Sequence, residues 1–195
     1  MIKRNFIDFC YMAICLFYTK IFYRTSRLIR LPIDIRNKHY ISFGKNLTTG
    51  RNCRIEAYSK DYQKTLVFGD NIEINDNVHI TASKSVIFGN NVLMASRIYI
   101  SDTSHGSYVG NDHDTYPDII PKLRPLFCNS VIIEDNVWIG EGVSILPGSI
   151  IGKGAIIGAN SVVKGNIPSY SIAVGVPAKI IKQFNFENKK WERLK

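Results

Sequence analysis

Between Ile41 and Asn166 the chain repeats every six residues, and so short a period leaves few folds open. In hexads it reads ISFGKN LTTGRN CRIEAY, LVFGDN IEINDN VHITAS, VIFGNN VLMASR IYISDT, VIIEDN VWIGEG VSILPG and SIIGKG AIIGAN SVVKGN. These groups of three begin at Ile41, Leu66, Val86, Val131 and Ser149. The third place of each hexad is apolar except for Thr49, the first is aliphatic or small, and Gly, Asn and Asp gather in the second half. Alternate residues of a strand point the same way, so places one and three face one interior. The Gly/Asn/Asp half supplies corners where left-handed backbone is needed. Three such edges close a triangular coil, and stacked coils form a parallel β-helix around one continuous apolar core. A sandwich would need turn signals at wider spacing and polar alternation on one face.

Regular coils leave little room for a pocket, so the interruptions are where function is expected. Residues 59–65, SKDYQKT, are a short excursion; residues 104–130, SHGSYVGNDHDTYPDIIPKLRPLFCNS, are a long loop with three prolines. His105 stands at the root of that loop, directly after a rung, where neighbouring coils can hold an imidazole in place. A surface or structural histidine is the plainer alternative.

The formal charge of +9, from 25 Lys and Arg against 16 Asp and Glu, predicts an anionic partner: nucleic acid, a phosphate-bearing cofactor or an acidic membrane face. Cys10, Cys15, Cys53 and Cys128 show no CxxC pair or regular spacing, which points to a reduced cytoplasmic setting rather than a zinc site or disulfide framework. Residues 9–19, FCYMAICLFYT, are uncharged but too short to span a bilayer, and no cleavage site follows. The pattern predicts a helix over roughly residues 5 to 30 with Lys3, Arg4, Lys20, Arg24, Arg27 and Arg30 around it. It suits either the interface of an anionic leaflet or a packing contact within the protein. The expected organisation is an N-terminal helical, membrane-interfacial segment (1–40), a β-helix domain (41–175) carrying the loop 104–130, and a short C-terminal tail or helix (176–195).

On the hexads and on the ending IPSYSIAVGVPAKIIK, the chain over roughly residues 41 to 182 resembles the hexapeptide-repeat left-handed β-helix acyltransferases, in particular their sugar O-acetyltransferase branch. The left hand is implied by the resemblance; hydrophobic spacing does not give it, and the usual right-handed crossover preference argues the other way. The resemblance also implies an acetyl-CoA donor, a sugar or lipid-linked glycan acceptor in polysaccharide or lipopolysaccharide synthesis, and a homotrimer whose sites lie between subunits. The protein would then be cytoplasmic or peripheral on the cytoplasmic face of the inner membrane.

Acyl transfer from a thioester to an alcohol needs a base for the hydroxyl proton and donors for the oxyanion. In the related enzymes the base is a His at the start of such a loop, the position of His105. Their Asn contacting the reacting oxygens falls, without gaps, on Asn75. Their Trp in a V-W-I-G rung falls on Trp138, as a wall against acceptor or cofactor. Asp102, three residues before the histidine, is a further candidate for orienting it or for contacting the acceptor. The pantetheine arm in the family runs along later coils, which gives Gly140 and Ala159, and Lys164, Lys179 and Lys182 are the cations placed for its phosphates. Relatives often carry Thr-Lys where this chain has Lys164-Gly165, a shift of one residue.

Other classes fit less well. A carbonic anhydrase on the same fold needs three histidines around zinc, and His39, His79, His105 and His113 lack the close pair on neighbouring turns, so no metal is expected. No recognition helix or aromatic platform accompanies the basic residues, so nucleic acid is not expected either. A drug or free-sugar acetyltransferase, or a non-catalytic β-helix, remains the alternative.

Overall fold

The structure, a computed structural model, describes residues 5–194. It is a three-faced parallel β-helix preceded by one helix, α1 (Phe6–Phe22). Face A stacks Leu28–Ile29, Thr48–Thr49, Glu73–Ile74, Leu93–Met94, Trp138–Ile139, Ile156–Ile157 and Ser171–Val174. Face B stacks Ile33–Arg36, Cys53–Ala57, His79–Ala82, Tyr99–Ser101, Ser144–Ile145 and Val162–Val163. Face C stacks Ile41–Ser42, Leu66–Val67, Val86–Phe88, Val131–Ile133, Ile150–Ile151 and Asn166–Ile167.

Each first- and third-place residue of the hexads is buried except Phe43, which is half-buried. The interior runs without a break from Tyr23 and Ile29 to Ile167 and Ala173. Inside face C, Phe68 and Phe88 stack with ring centroids 5.0 Å apart. The one polar third-place residue, Thr49, is also buried, and its hydroxyl accepts the Arg30 N–H at 3.2 Å.

The corners explain the asparagines. Asn46, Asn71, Asn91 and Asn136 all adopt left-handed backbone, and their side chains form a ladder: Asn46 donates to Asn71 at 3.0 Å, Asn71 to Asn91 at 3.0 Å, and Asn91 to Asn136 at 3.1 Å. Asparagine tolerates the left-handed region and carries both a donor and an acceptor, so one residue type meets both needs.

Three expectations are corrected. The N-terminal helix ends at Phe22 rather than near residue 30, because Thr25 and Ser26 favour a turn and Pro32 brings no N–H for a helix to use. The β-helix therefore begins before Ile41: Leu28–Ile29 pairs with Thr48–Thr49, and Ile33–Arg36 with Cys53–Glu56. The C-terminus is neither tail nor helix. Lys179–Asn185 turns back antiparallel onto Ser171–Val174, and Lys190–Arg193 adds another strand to face A. The Asn185 side chain accepts the N–H groups of Glu187 and Asn188 and closes that hairpin, whose aromatic residues Phe184 and Trp191 meet at 5.3 Å. Residues Lys3 and Arg4, counted above among the basic residues, lie outside the described chain.

Candidate active site

After Ser101 the chain ought to turn from face B to face C. Instead Thr103–His105 leaves the prism and pairs antiparallel with the returning Leu126–Cys128, so residues 104–130 form an arm with a two-stranded root. His105 lies opposite Leu126 there. Gly106 follows with φ +104°, and a side chain on it would sit 2.6 Å from the Tyr108 hydroxyl, so only glycine allows the chain to turn immediately after the histidine. The Tyr108 hydroxyl donates to the His105 carbonyl at 2.6 Å and accepts from Arg124 at 2.8 Å; Arg124 also donates to the carbonyls of Ile119 and Pro117. The arm is thus a folded element with its own polar scaffold.

Between the arm and the coils runs a groove of about 420 Å³. One wall is Tyr58 with Ser59 and Lys60 of the excursion; the floor is the outer side of face B, with Thr81, Tyr99 and Ser101; the other wall is His105, Leu126 and Cys128. The two interruptions of the repeat, far apart in sequence, therefore face one another. The His105 imidazole is exposed on this groove and has no hydrogen-bond partner among the described residues. Thr81 and Tyr99 on the floor, Tyr58 on one wall and the imidazole of His105 on the other suit a hydroxyl-bearing molecule that must give up a proton.

A polar cluster borders the groove on face B. Glu56 is only 4% exposed, and its carboxylate accepts from Arg54 at 2.9 Å, Tyr58 at 3.0 Å and Arg36 at 3.4 Å, with His79 Nε2 at 3.1 Å from its other oxygen. Burial pushes this carboxyl up, but hydrogen bonds from His79, Arg54 and Tyr58 outweigh it and hold the group below the usual glutamate range. The ring of His79 lies 5.4 Å from that of Tyr99. Sequence reasoning missed this cluster and the groove floor, since both occupy outward places of the hexads; hydroxyl and aromatic residues at those places beside a loop root were the available signal.

The other expected residues are distributed over two edges. Asn75 lies at the opposite edge of face B from His105, where face A turns into face B; the two are separated by the width of a face, roughly 15 Å at about 3.3 Å per residue. The Asn75 side chain donates to the Met94 carbonyl at 2.9 Å. Gly140 and Ala159 are at that same edge, and a side chain on Gly140 would sit 2.7 Å from the Ala159 nitrogen, so the coils approach closely there. Lys179 pairs with Val174 and Lys182 with Ile172 on face A, while Lys164 follows the last strand of face B on the His105 side. Trp138 points outward from face A, 51% exposed, between Leu93 and Ile156. The expected residues thus fall on two edges of one chain, His105 on one and Asn75, Gly140 and Ala159 on the other.

Asp102 is corrected. It is fully buried, and its carboxylate accepts the backbone N–H groups of Ser83, Lys84 and Ser85 and the Thr103 hydroxyl, with no bond to His105. It fastens the corner from which the arm departs. Among the described residues, no three of His, Cys, Asp and Glu gather as a metal ion would require.

Residues 130–165 match the family model described as bacterial transferase hexapeptide (six repeats). The chain is 46% identical over 175 residues to the Escherichia coli K12 protein named "Putative lipopolysaccharide biosynthesis O-acetyl transferase WbbJ", covering 90% of this chain and 88% of that one. A solved galactoside acetyltransferase in complex with coenzyme A is 32% identical, with a TM-score of 0.53, over 72% of this chain and 66% of that one. A point mutant of AntD, an N-acyltransferase from Bacillus cereus, solved with dTDP-4-amino-4,6-dideoxyglucose and coenzyme A, shares the fold with a TM-score of 0.67 at 24% identity, over 85% of this chain and 84% of that one. The coil is the left-handed β-helix of these acyltransferases.

Proposed function

Because the chain belongs to the hexapeptide-repeat acetyltransferases, we propose that it moves an acetyl group from acetyl-CoA to a sugar hydroxyl during the assembly of lipopolysaccharide or another cell-surface polysaccharide. The observation that carries this reading is the likeness to WbbJ along nearly the whole of both chains. The exposed imidazole of His105 on a groove lined by Tyr58, Thr81 and Tyr99 supports the chemistry.

In this reading the sugar lies in the groove with one hydroxyl against His105. The imidazole takes the hydroxyl proton as the oxygen attacks the thioester carbonyl, giving a tetrahedral oxyanion. Asn75 is the proposed donor to that oxyanion. When the intermediate collapses, the C–S bond breaks and the imidazolium returns its proton to the leaving thiolate, so no covalent enzyme intermediate is required. The donor would run along the edge of Gly140 and Ala159, with Lys179 and Lys182 for its phosphates and Trp138 as a bounding wall; Lys164, at the His105 edge, would reach it only from a neighbouring subunit.

His105 and Asn75 lie on opposite edges of one prism, so a complete site needs a second copy. We read the working form as a homotrimer in which the arm of one subunit reaches the Asn75 edge of the next. Incubating the protein with acetyl-labelled acetyl-CoA and separate pools of nucleotide sugars, lipid-linked glycans and free sugars tests the function. Label in a glycan is expected; label in none of the pools, with intact protein, contradicts it.

A further inference from the structure

We propose that α1 is a docking element for an anionic lipid surface. One side of the helix is fastened to the prism: Cys15 and Thr19 are buried, the Thr19 hydroxyl accepts the Ile29 N–H at 2.8 Å, and the Tyr11 hydroxyl donates to the Leu31 carbonyl at 2.7 Å. The remaining circumference should be polar if it met only water. It is instead formed by Phe6, Ile7, Phe9, Ile14, Phe17 and Ile21, with Phe6 79% and Phe17 70% exposed. An exposed apolar surface of this kind marks a binding face.

Charge selects the occupant. From Phe9 to Ile33 the sequence contains no carboxylate, while Lys20, Arg24, Arg27 and Arg30 fall within it. Arg27 pairs with Glu73, but Lys20 and Arg24 are exposed and have no acidic partner among the described residues. Asp8, the acid in the first turn, belongs to the capping box with Asn5. A second copy of α1 would bring the same cations against these, with only Asp8 to answer them. Anionic head groups answer the cations while the aromatic face enters the acyl boundary. At 17 residues, α1 is below the about 20 that a spanning helix needs, and no described helix is long and apolar enough to cross a membrane.

The placement gives the docking a purpose. A pocket of about 400 Å³ lies between Asp8, Tyr11 and Met12 of α1 and Arg51 and Asn75 of the prism, so a docked helix holds the Asn75 edge beside the lipid. An acceptor carried on a lipid would arrive there. That consequence rests on the acetyl-transfer reading; the docking itself does not.

The test is flotation of the full chain with vesicles of phosphatidylcholine alone and of phosphatidylcholine with phosphatidylglycerol, alongside sizing in solution. Binding to the phosphatidylglycerol vesicles that weakens with salt is expected. Phe9→Ser with Phe17→Ser should lower it roughly ten-fold or more, with unchanged melting temperature, because both side chains are exposed in the free protein. Lys20→Glu with Arg24→Glu should abolish the preference for anionic vesicles. Wild-type protein that stays with the soluble fraction, or Ser variants that float equally well, would overturn the proposal. So would Ser variants that shrink the oligomer, since a second copy would then be the occupant.

Discussion

The carboxylate of Asp102 accepts the backbone N–H of Ser85 at 2.7 Å, tying the rung that leads to His105 to the coil beneath it. The N–H groups of Ser83 and Lys84 converge on the same buried carboxylate. A corner whose donors would otherwise be orphaned is thereby closed by the residue at which the arm departs.

Replacing Asp102 with Ala leaves those donors unsatisfied, and chemical denaturation should show a loss of about 3 kcal/mol or more. Asp102→Asn, which retains one acceptor oxygen, should lose less. Wild-type stability in Asp102→Ala would contradict the anchoring role.

Asn71 combines φ 58° with donor and acceptor places in the corner ladder. Asn71→Ala should cost about 1–2 kcal/mol, and Asn71→Gly less, because glycine restores the backbone freedom but not the ladder. Equal melting temperatures for the two variants would show that the left-handed backbone contributes nothing at this corner.

Glu56 has its carboxyl held low in the folded chain, against burial, by His79, Arg54 and Tyr58. Its contribution to stability is therefore complete above the ordinary glutamate range and is lost as pH falls through the depressed folded value. The melting-temperature advantage of wild type over Glu56→Gln should shrink as pH falls below the ordinary glutamate range. A gap that is constant with pH would mean the carboxylate charge is not what the cluster uses.

Two inactive variants should complement one another if the site is shared. His105→Ala and Asn75→Ala chains, refolded together, would place an intact His105 beside an intact Asn75 in about a quarter of random sites and recover that share of the wild-type rate. No recovery, with mixed oligomers confirmed by mass, would return both residues to one chain; an active Asn75→Ala chain on its own would remove Asn75 from the reaction.

Most of the coil was legible because hexad places and burial obey the same geometry: Ile74, Met94 and Ile139 are inward for one reason, repeated. The first coil was not, since Leu28–Ile29 and Ile33–Arg36 are joined without the Gly/Asn punctuation that marks the later corners. The terminal hairpin was hidden because Lys179–Asn185 lacks a clear alternation and is organised by an Asx turn and aromatic contacts that form only on folding. His105 was visible as a break in the rhythm. The place of Asp102 beside His105 is legible but its bonding is not, because its backbone donors at Ser83 to Ser85 come from another coil, and no spacing along the chain marks them.

The central claim is that His105 takes the acceptor's proton. The most direct measurement is the rate of coenzyme A release from acetyl-CoA with a competent acceptor, comparing wild type with a folded His105→Ala variant of unchanged oligomeric state. The account predicts a fall of about 10²–10⁴ in kcat with little change in the KM for acetyl-CoA. A variant that turns over at the wild-type rate would contradict it.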